Sequence, residues 1–451
     1  MRFLFTTLQF EESAAYGRVG TALEGLGHEV RHVTFSRQAA LDLRQAGAQA
    51  ICLADRLRDA APGDLDLQAQ RIEREYPIPS LRDVWLTDPA CKGMPERRCL
   101  ERTVRHFLAL EEIFAELEPD VVVPEVGSET MRTAAHLIAA RRGATTLFLF
   151  YTIFPRPLRL YQDSYHRPIV APEDVRALDD DERAEVEGFV RTYIDRDKPT
   201  LPHRRARITP AKLRDWVRHL RVQRSVDHDN DYLVPGRFVR NFVVQTARRR
   251  LSRRLYEPLP EDRKLVYFPL HVTDDFKVKR VIPHCVDQAY LIEQVADALP
   301  EGYELVLKEH PVSLGRNPVS FLRRLTRRDN VRMVDAYTSS HELIRRSEAI
   351  VVISSTVGLE ALLHGKPVLT MGQPFYAGYG VTVDVDSFRE LREQVPAVLR
   401  FSPDREQTLR FLHAAMRSTY EGAPAGVDAS SANAQALARS MTAALERAPA
   451  H

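Results

Sequence analysis

Cysteine is scarce in this chain. Its 451 residues include four, Cys52, Cys91, Cys99 and Cys285, with no Cys-x-x-Cys pair and no histidine cluster at zinc spacing. That pattern excludes a disulfide framework and reads as reduced thiols in a reducing compartment; no metal is expected in the site. Long hydrophobic runs are lacking too. No segment approaches the ~20 apolar residues of a membrane span, and residues 1–7 are apolar over too short a run for a signal peptide. The expectation is a cytoplasmic protein, at most peripheral at the inner face of the membrane. Net charge is nearly absent, +2 from 64 Lys and Arg against 62 Asp and Glu. The whole-molecule balance therefore gives no sign of a nucleic-acid partner. No internal repeat is visible. What is present is ordinary globular composition, 44% hydrophobic and 28% charged, over a length that exceeds the roughly 250–300 residues of a single core. Two domains follow.

Apolar strand signals alternate with helix signals in two series. The first runs strand 2–7, helix 16–26 closed by Gly27, strand 30–35, helix 107–117, strand 121–124, helix 131–142 closed by Gly143, and strand 145–150. The second runs strand 265–268, helix 287–299, strands 303–307 and 331–334, helix 339–347, strand 349–353, helix 357–364 and strand 368–371, with helical regions 405–416 and 432–447 at the end. Continuous apolar strands alternating with helices predict parallel sheets covered on both faces. The expected fold class is α/β: two doubly wound Rossmann-like domains facing a central cleft. The expected ranges are 1–155, an inter-domain helical segment 156–262, 263–425, and a C-terminal helix 426–451. Within the inter-domain segment, residues 203–254 are rich in arginine. They read as a solvated face or as a surface for anionic lipid or an anionic glycan. Asp229-Asn230-Asp231 also falls there; as a three-letter pattern it reads as a turn.

Two motifs carry chemistry. Ile353-Ser354-Ser355-Thr356-Val357-Gly358 puts three small hydroxyl residues between a strand end and a helix start. A helix N-terminus offers N–H groups and partial positive charge to a phosphate. Lys308-Glu309-His310-Pro311 stands at another strand end, where open α/β sheets place ligands. Lys308 can bring charge and His310 can donate to a phosphate or leaving oxygen. Each motif alone also has a plain structural reading, a helix cap and a strand-end turn.

The pair, about 45 residues apart, resembles the capsular polysaccharide biosynthesis protein family, which includes Kdo (3-deoxy-manno-octulosonic acid) transferases. Tyr267-Phe268-Pro269-Leu270-His271, His364-Gly365-Lys366-Pro367-Val368 and Gly372-Gln373-Pro374-Phe375-Tyr376 support the resemblance, as does Pro124-Glu125-Val126-Gly127-Ser128-Glu129 followed by Arg132. It is good over about residues 264–385, looser over the first 150 and weak over 155–260. It implies a CMP-sugar donor, with His310 and Pro311 on the CMP moiety and Ser354, Ser355 and Thr356 on its phosphate. Glu309 and His271 complete the expected donor site, with Glu360 on a ribose hydroxyl. No cofactor is expected beyond the nucleotide sugar itself; the acceptor is a glycan or glycolipid.

Sugar transfer needs a stabilised leaving phosphate and, for inversion, a base. Glu125 and Glu129 are the first candidates, Asp274 and Asp275 the next, with His310 at the leaving group. The function expected is transfer of a sugar, Kdo by resemblance, during bacterial surface-polysaccharide synthesis. The alternatives are a UDP- or GDP-sugar transferase, a sugar-nucleotide epimerase, a teichoic-acid-type glycerophosphotransferase, and a non-catalytic glycan-binding assembly subunit.

Overall fold

The computed structural model describes residues 1–165, 170–195, 210–232, 234–273 and 275–446. The chain forms two compact units: residues 1–167, 208–237 and 419–451 make the first, and 168–207 and 238–418 the second. Both are α/β, as the strand and helix alternation predicts.

The first unit is built on six strands, β1 (Arg2–Thr7), β2 (Glu29–Thr34), β3 (Ala50–Cys52), β4 (Val121–Val123), β5 (Thr145–Tyr151) and β6 (Leu158–Gln162). Their order is β3-β2-β1-β4-β5-β6, all parallel except the β5–β6 pair. Phe3, Phe5, Val121 and Val123 face a core shared with Tyr16, Val19 and Leu23 of the Phe10–Glu24 helix, and with Leu437 and Met441 of the Ser431–Glu446 helix. The C-terminal helix is thus part of this unit's core. Its small residues Ala434 and Ala438 belong to the same packing.

The second unit carries β7 (Lys264–Pro269), β8 (Tyr303–Lys308), β9 (Val331–Val334), β10 (Ser347–Val352), β11 (Val368–Thr370) and β12 (Val383–Asp384) in the order β12-β11-β10-β7-β8-β9. All its pairings are parallel. Leu265 to Phe268 and Leu305 to Leu307 are buried without exception, as a sheet covered on both faces requires. In each sheet the strand order reverses once, between β1 and β4 in the first and between β7 and β10 in the second. Such a reversal leaves a crevice at the carboxyl ends of the two strands.

The expected inter-domain segment is divided between the units. Asp229-Asn230-Asp231 is structural, in keeping with the turn reading. Asp229 pairs with Arg37, one of its contacts being 2.8 Å, and Asp231 lies 2.9 Å from Arg102 Nε. Asn230 Oδ1 accepts from Tyr232 N at 3.0 Å. Arg102 also reaches the buried Asp88 at 2.9 Å. These carboxylates bind the Pro210–Ser225 helix end to the first unit and are occupied by arginines. Strands β3, β6 and β12 were not expected: the first and last are too short to show a period, and β6 lies in the stretch read as inter-domain.

Candidate active site

At the second unit's reversal point, β7 delivers His271 and β10 delivers Ser354. Ser354 N donates to His271 Nε2 at 3.3 Å. The His271 backbone is clamped from both sides by Gln288, whose Oε1 accepts from His271 N at 2.9 Å and whose Nε2 donates to His271 O at 3.3 Å. Burial, with Lys277 and His310 nearby, pushes the His271 pKa down to about 3. The ring is therefore neutral at physiological pH and accepts with one nitrogen. His271, expected as a donor-binding group, holds the Ser354 backbone through this bond.

The Ser354-Ser355-Thr356 turn opens the Thr356–Leu363 helix. Ser355 is its N-cap, Oγ accepting from Val357 N at 3.2 Å, an arrangement worth about 1 kcal/mol. Its carbonyl accepts from Tyr376 Oη at 2.5 Å. Gly358 is needed here, because a Cβ would collide with the Tyr376 phenol. Lys277 Nζ donates to the Ser354 carbonyl at 3.1 Å, which brings a cation to the turn. Ser354 Oγ is buried and has no hydrogen-bond partner among the described residues. A buried hydroxyl left so costs about 1–3 kcal/mol unless a ligand or water meets it. Thr356 is exposed beside it.

The Lys308-Glu309-His310-Pro311 motif divides by strand pleat. Lys308 is buried, and its Nζ donates to Thr338 O at 2.9 Å and Ser340 Oγ at 2.6 Å. Burial lowers its pKa to about 8, against the field of Glu360, which acts to raise it. Glu309 is fully buried; Tyr256 Oη donates to one oxygen at 2.5 Å and Asn317 Nδ2 to the other at 2.7 Å. Asn317 in turn accepts from Thr273 Oγ1 at 2.9 Å. Glu309, expected against the donor, ties three loops together, and both its oxygens accept from protein groups. His310 is exposed and caps the Pro311–Ser313 turn, its Nδ1 accepting from Val312 N at 3.2 Å. That bond assigns the proton to Nε2, the nitrogen able to donate to an anion.

Glu360 stands one turn into the Thr356–Leu363 helix. Burial pushes its pKa up to about 7, opposed by Lys308 and by a hydrogen bond with Tyr193. Tyr193 and Lys277 were not singled out in the sequence; nothing local marks either.

In the first unit, the reversal point gathers Glu12, Tyr16, Glu125, Glu129 and Arg132. Arg132 donates to Glu12 at 2.7 Å and to Val126 O at 3.0 Å, and lies 3.3 Å from Glu129. Tyr16 Oη donates to Glu125. Gly127 admits this cluster: a Cβ there would strike both Glu129 and Arg132. Burial, reinforced by Glu12, pushes Glu125 up to about 7. Burial also raises Glu129, against the attraction of Arg132. Glu125 is thus the carboxyl able to exchange a proton near neutrality, and Glu129 is the ion-paired one. Asp275 is exposed and caps the following turn, accepting from Lys277 N at 2.7 Å. Asp274 lies outside the described residues. No group of three or more metal-ligating side chains occurs among the described residues.

Comparison with known proteins bears on the second unit above all. Residues 203–413 match the family model described as capsule polysaccharide biosynthesis protein, a stretch that contains both the His310 and the Ser354 motifs. Over this stretch the chain is similar to the capsule polysaccharide biosynthesis protein family. Among curated proteins, it is similar to capsule polysaccharide modification protein LipA of Neisseria meningitidis serogroup B, 28% identical over 28% of this chain and 18% of that protein. Protein FixF of Sinorhizobium fredii is 30% identical over 36% of this chain and 40% of that one. Capsule polysaccharide export protein KpsS of Escherichia coli is 27% identical over 32% and 38%. The matches span less than half the length of these relatives. Among solved structures, the beta Kdo 2,7 transferase of Thermosulfurimonas dismutans KpsC is 16% identical, covering 69% of this chain and 85% of that one, with a TM-score of 0.33. UDP-GlcNAc 2-epimerase of Neisseria meningitidis is 13% identical over 99% of both, with a TM-score of 0.27. Likenesses this loose locate no site and assign no substrate.

Glu360 sets a pH test. Its folded pKa of about 7 lies above the ordinary 4.5, so between these values the folded state holds more protons than the unfolded one. Stability is then lost as pH rises through that window. Glu360→Gln removes the loss: it should gain about 2 kcal/mol relative to wild type on going from pH 5 to pH 8. Urea unfolding at the two pH values checks this; an equal difference at both contradicts a buried, raised carboxyl.

Proposed function

We propose that this chain is a GT-B-type glycosyltransferase of bacterial surface-polysaccharide synthesis, drawing its sugar from a CMP-activated donor. The observation that carries the reading is the buried Ser354 hydroxyl, without a partner among the described residues, at a helix N-terminus on the sheet's reversal point, within the family-matching stretch. The leaving phosphate is received by Ser354 Oγ, the opening turn of the Thr356–Leu363 helix and His310 Nε2–H. All are preorganised donors that need no proton to leave the protein. Lys277 adds positive charge through the Ser354 carbonyl. Glu360 takes a ribose hydroxyl. Kdo as the sugar rests on the sequence resemblance, as does a glycan or glycolipid acceptor; a peripheral position at the inner face of the membrane rests on the arginine-rich stretch 203–254. In the first unit, Glu125 is the group suited to take a proton from an acceptor hydroxyl if the reaction inverts, because its pKa matches neutral pH.

Calorimetric titration with CMP, CDP, UDP and GDP tests the donor. CMP should bind selectively, and His310→Ala should weaken it about tenfold. Preference for UDP or GDP discards the CMP-sugar assignment, and absence of nucleotide binding discards transfer altogether. With the donor so identified, Glu125→Gln should slow turnover about 10²-fold or more. A wild-type rate removes Glu125 as the base.

A further inference from the structure

Residues 232–256 contain seven arginines and no aspartate or glutamate. Most of them form the Pro235–Ser252 helix. One side of this helix is seated: the Gln245 carbonyl packs so closely on Gly315 that no Cβ fits there, Arg248 donates to Arg316 O at 3.0 Å, and Ser252 is buried. At 3.6 residues per turn Val239, Phe242 and Val243 turn away from the seated side, and Phe238, two turns before Gln245, continues their stripe at the helix's opening end. They are 48%, 42%, 51% and 59% exposed. Continuing along that same side, the helix presents Arg249 and Arg250, with Arg253 and Arg254 just beyond its end.

We propose that this face docks on an anionic lipid bilayer, Phe238, Val239, Phe242 and Val243 entering the interface and the arginines meeting phosphate headgroups. Two features decide the partner. An anionic polysaccharide satisfies the arginines but gives two exposed phenylalanines and two valines no apolar phase to enter. A bilayer supplies both. The unbroken positive charge also opposes pairing with a second copy of the same face. No helix among the described residues is long and apolar enough to cross a membrane, so the contact lies in the plane of the surface. Because the seated side holds residues 315 and 316, the loop that follows His310 and Pro311 rests directly on this anchor.

The inference stands apart from sugar transfer, since membrane binding needs no donor. The test is co-sedimentation of the full chain with vesicles of phosphatidylcholine alone and of phosphatidylcholine mixed with phosphatidylglycerol. The protein should bind the mixed vesicles only, and added salt should weaken binding. Phe238→Ser with Phe242→Ser, and separately Arg250→Gln with Arg254→Gln, should each reduce binding about tenfold or more, while circular dichroism and nucleotide affinity stay at wild-type values. Equal binding by wild type and both double variants overturns the proposal, as does failure to bind mixed vesicles. Retention on dextran sulfate that depends on the arginines, without vesicle binding, assigns the face to a polyanion and overturns it as well. A vesicle-free mass that falls from dimer to monomer in the phenylalanine variant makes the face a self-interface, with the same consequence.

Discussion

A parallel, doubly wound sheet must reverse its strand order somewhere, and at that place no crossover covers the carboxyl ends of the two central strands. Everything chemical in this molecule gathers at two such places. In the second unit it is the β7–β10 junction, where a hydrogen bond from the Ser354 backbone N–H to the His271 ring links the segments that leave the two strands. That bond holds because His271 is neutral, and His271 is neutral because it is buried. The turn that opens the Thr356–Leu363 helix is thereby fixed, with a buried serine hydroxyl that has no partner among the described residues.

Burial also governs the titrating groups. Glu360 and Glu125 stand in different units, yet burial drives both to about 7. In the first unit the effect is sharpened by crowding: Glu12, Glu125 and Glu129 share Arg132 as their neighbouring cation, and Tyr16 donates to Glu125. One arginine cannot neutralise three carboxylates, so the most buried and least directly paired of them keeps its proton longest. A proton-exchanging carboxyl near neutrality is the outcome.

The strands other than β3, β6 and β12 were legible because apolar runs are local signals, and so were the helices that Gly27 and Gly143 follow. The two parallel sheets follow from them, and so does Ser355 as a cap. The direction of individual side chains was not legible. Lys308 and Glu309 are adjacent, and pleating sends them to different surroundings; only the closing loops decide that Glu309 meets Tyr256 and Asn317, which lie well apart from it in sequence. Asp229-Asn230-Asp231 was legible as a turn, but not that Arg37 and Arg102, far upstream, come to meet its carboxylates. His271 was legible as a strand-end residue but not as a neutral acceptor, because burial is a property of the fold. The exposed face of the Pro235–Ser252 helix was visible as charge and invisible as apolar surface, since its seated side is set by Gly315.

The central claim is that the β7–β10 junction is a phosphate site completed by Ser354. It is tested most directly by comparing the affinities of cytidine and CMP in wild type and in Ser354→Ala. CMP should bind wild type far more tightly than cytidine, and Ser354→Ala should shrink that advantage by about tenfold while leaving cytidine affinity unchanged. Equal affinities of the two ligands for wild type, or an advantage untouched by the substitution, would contradict it.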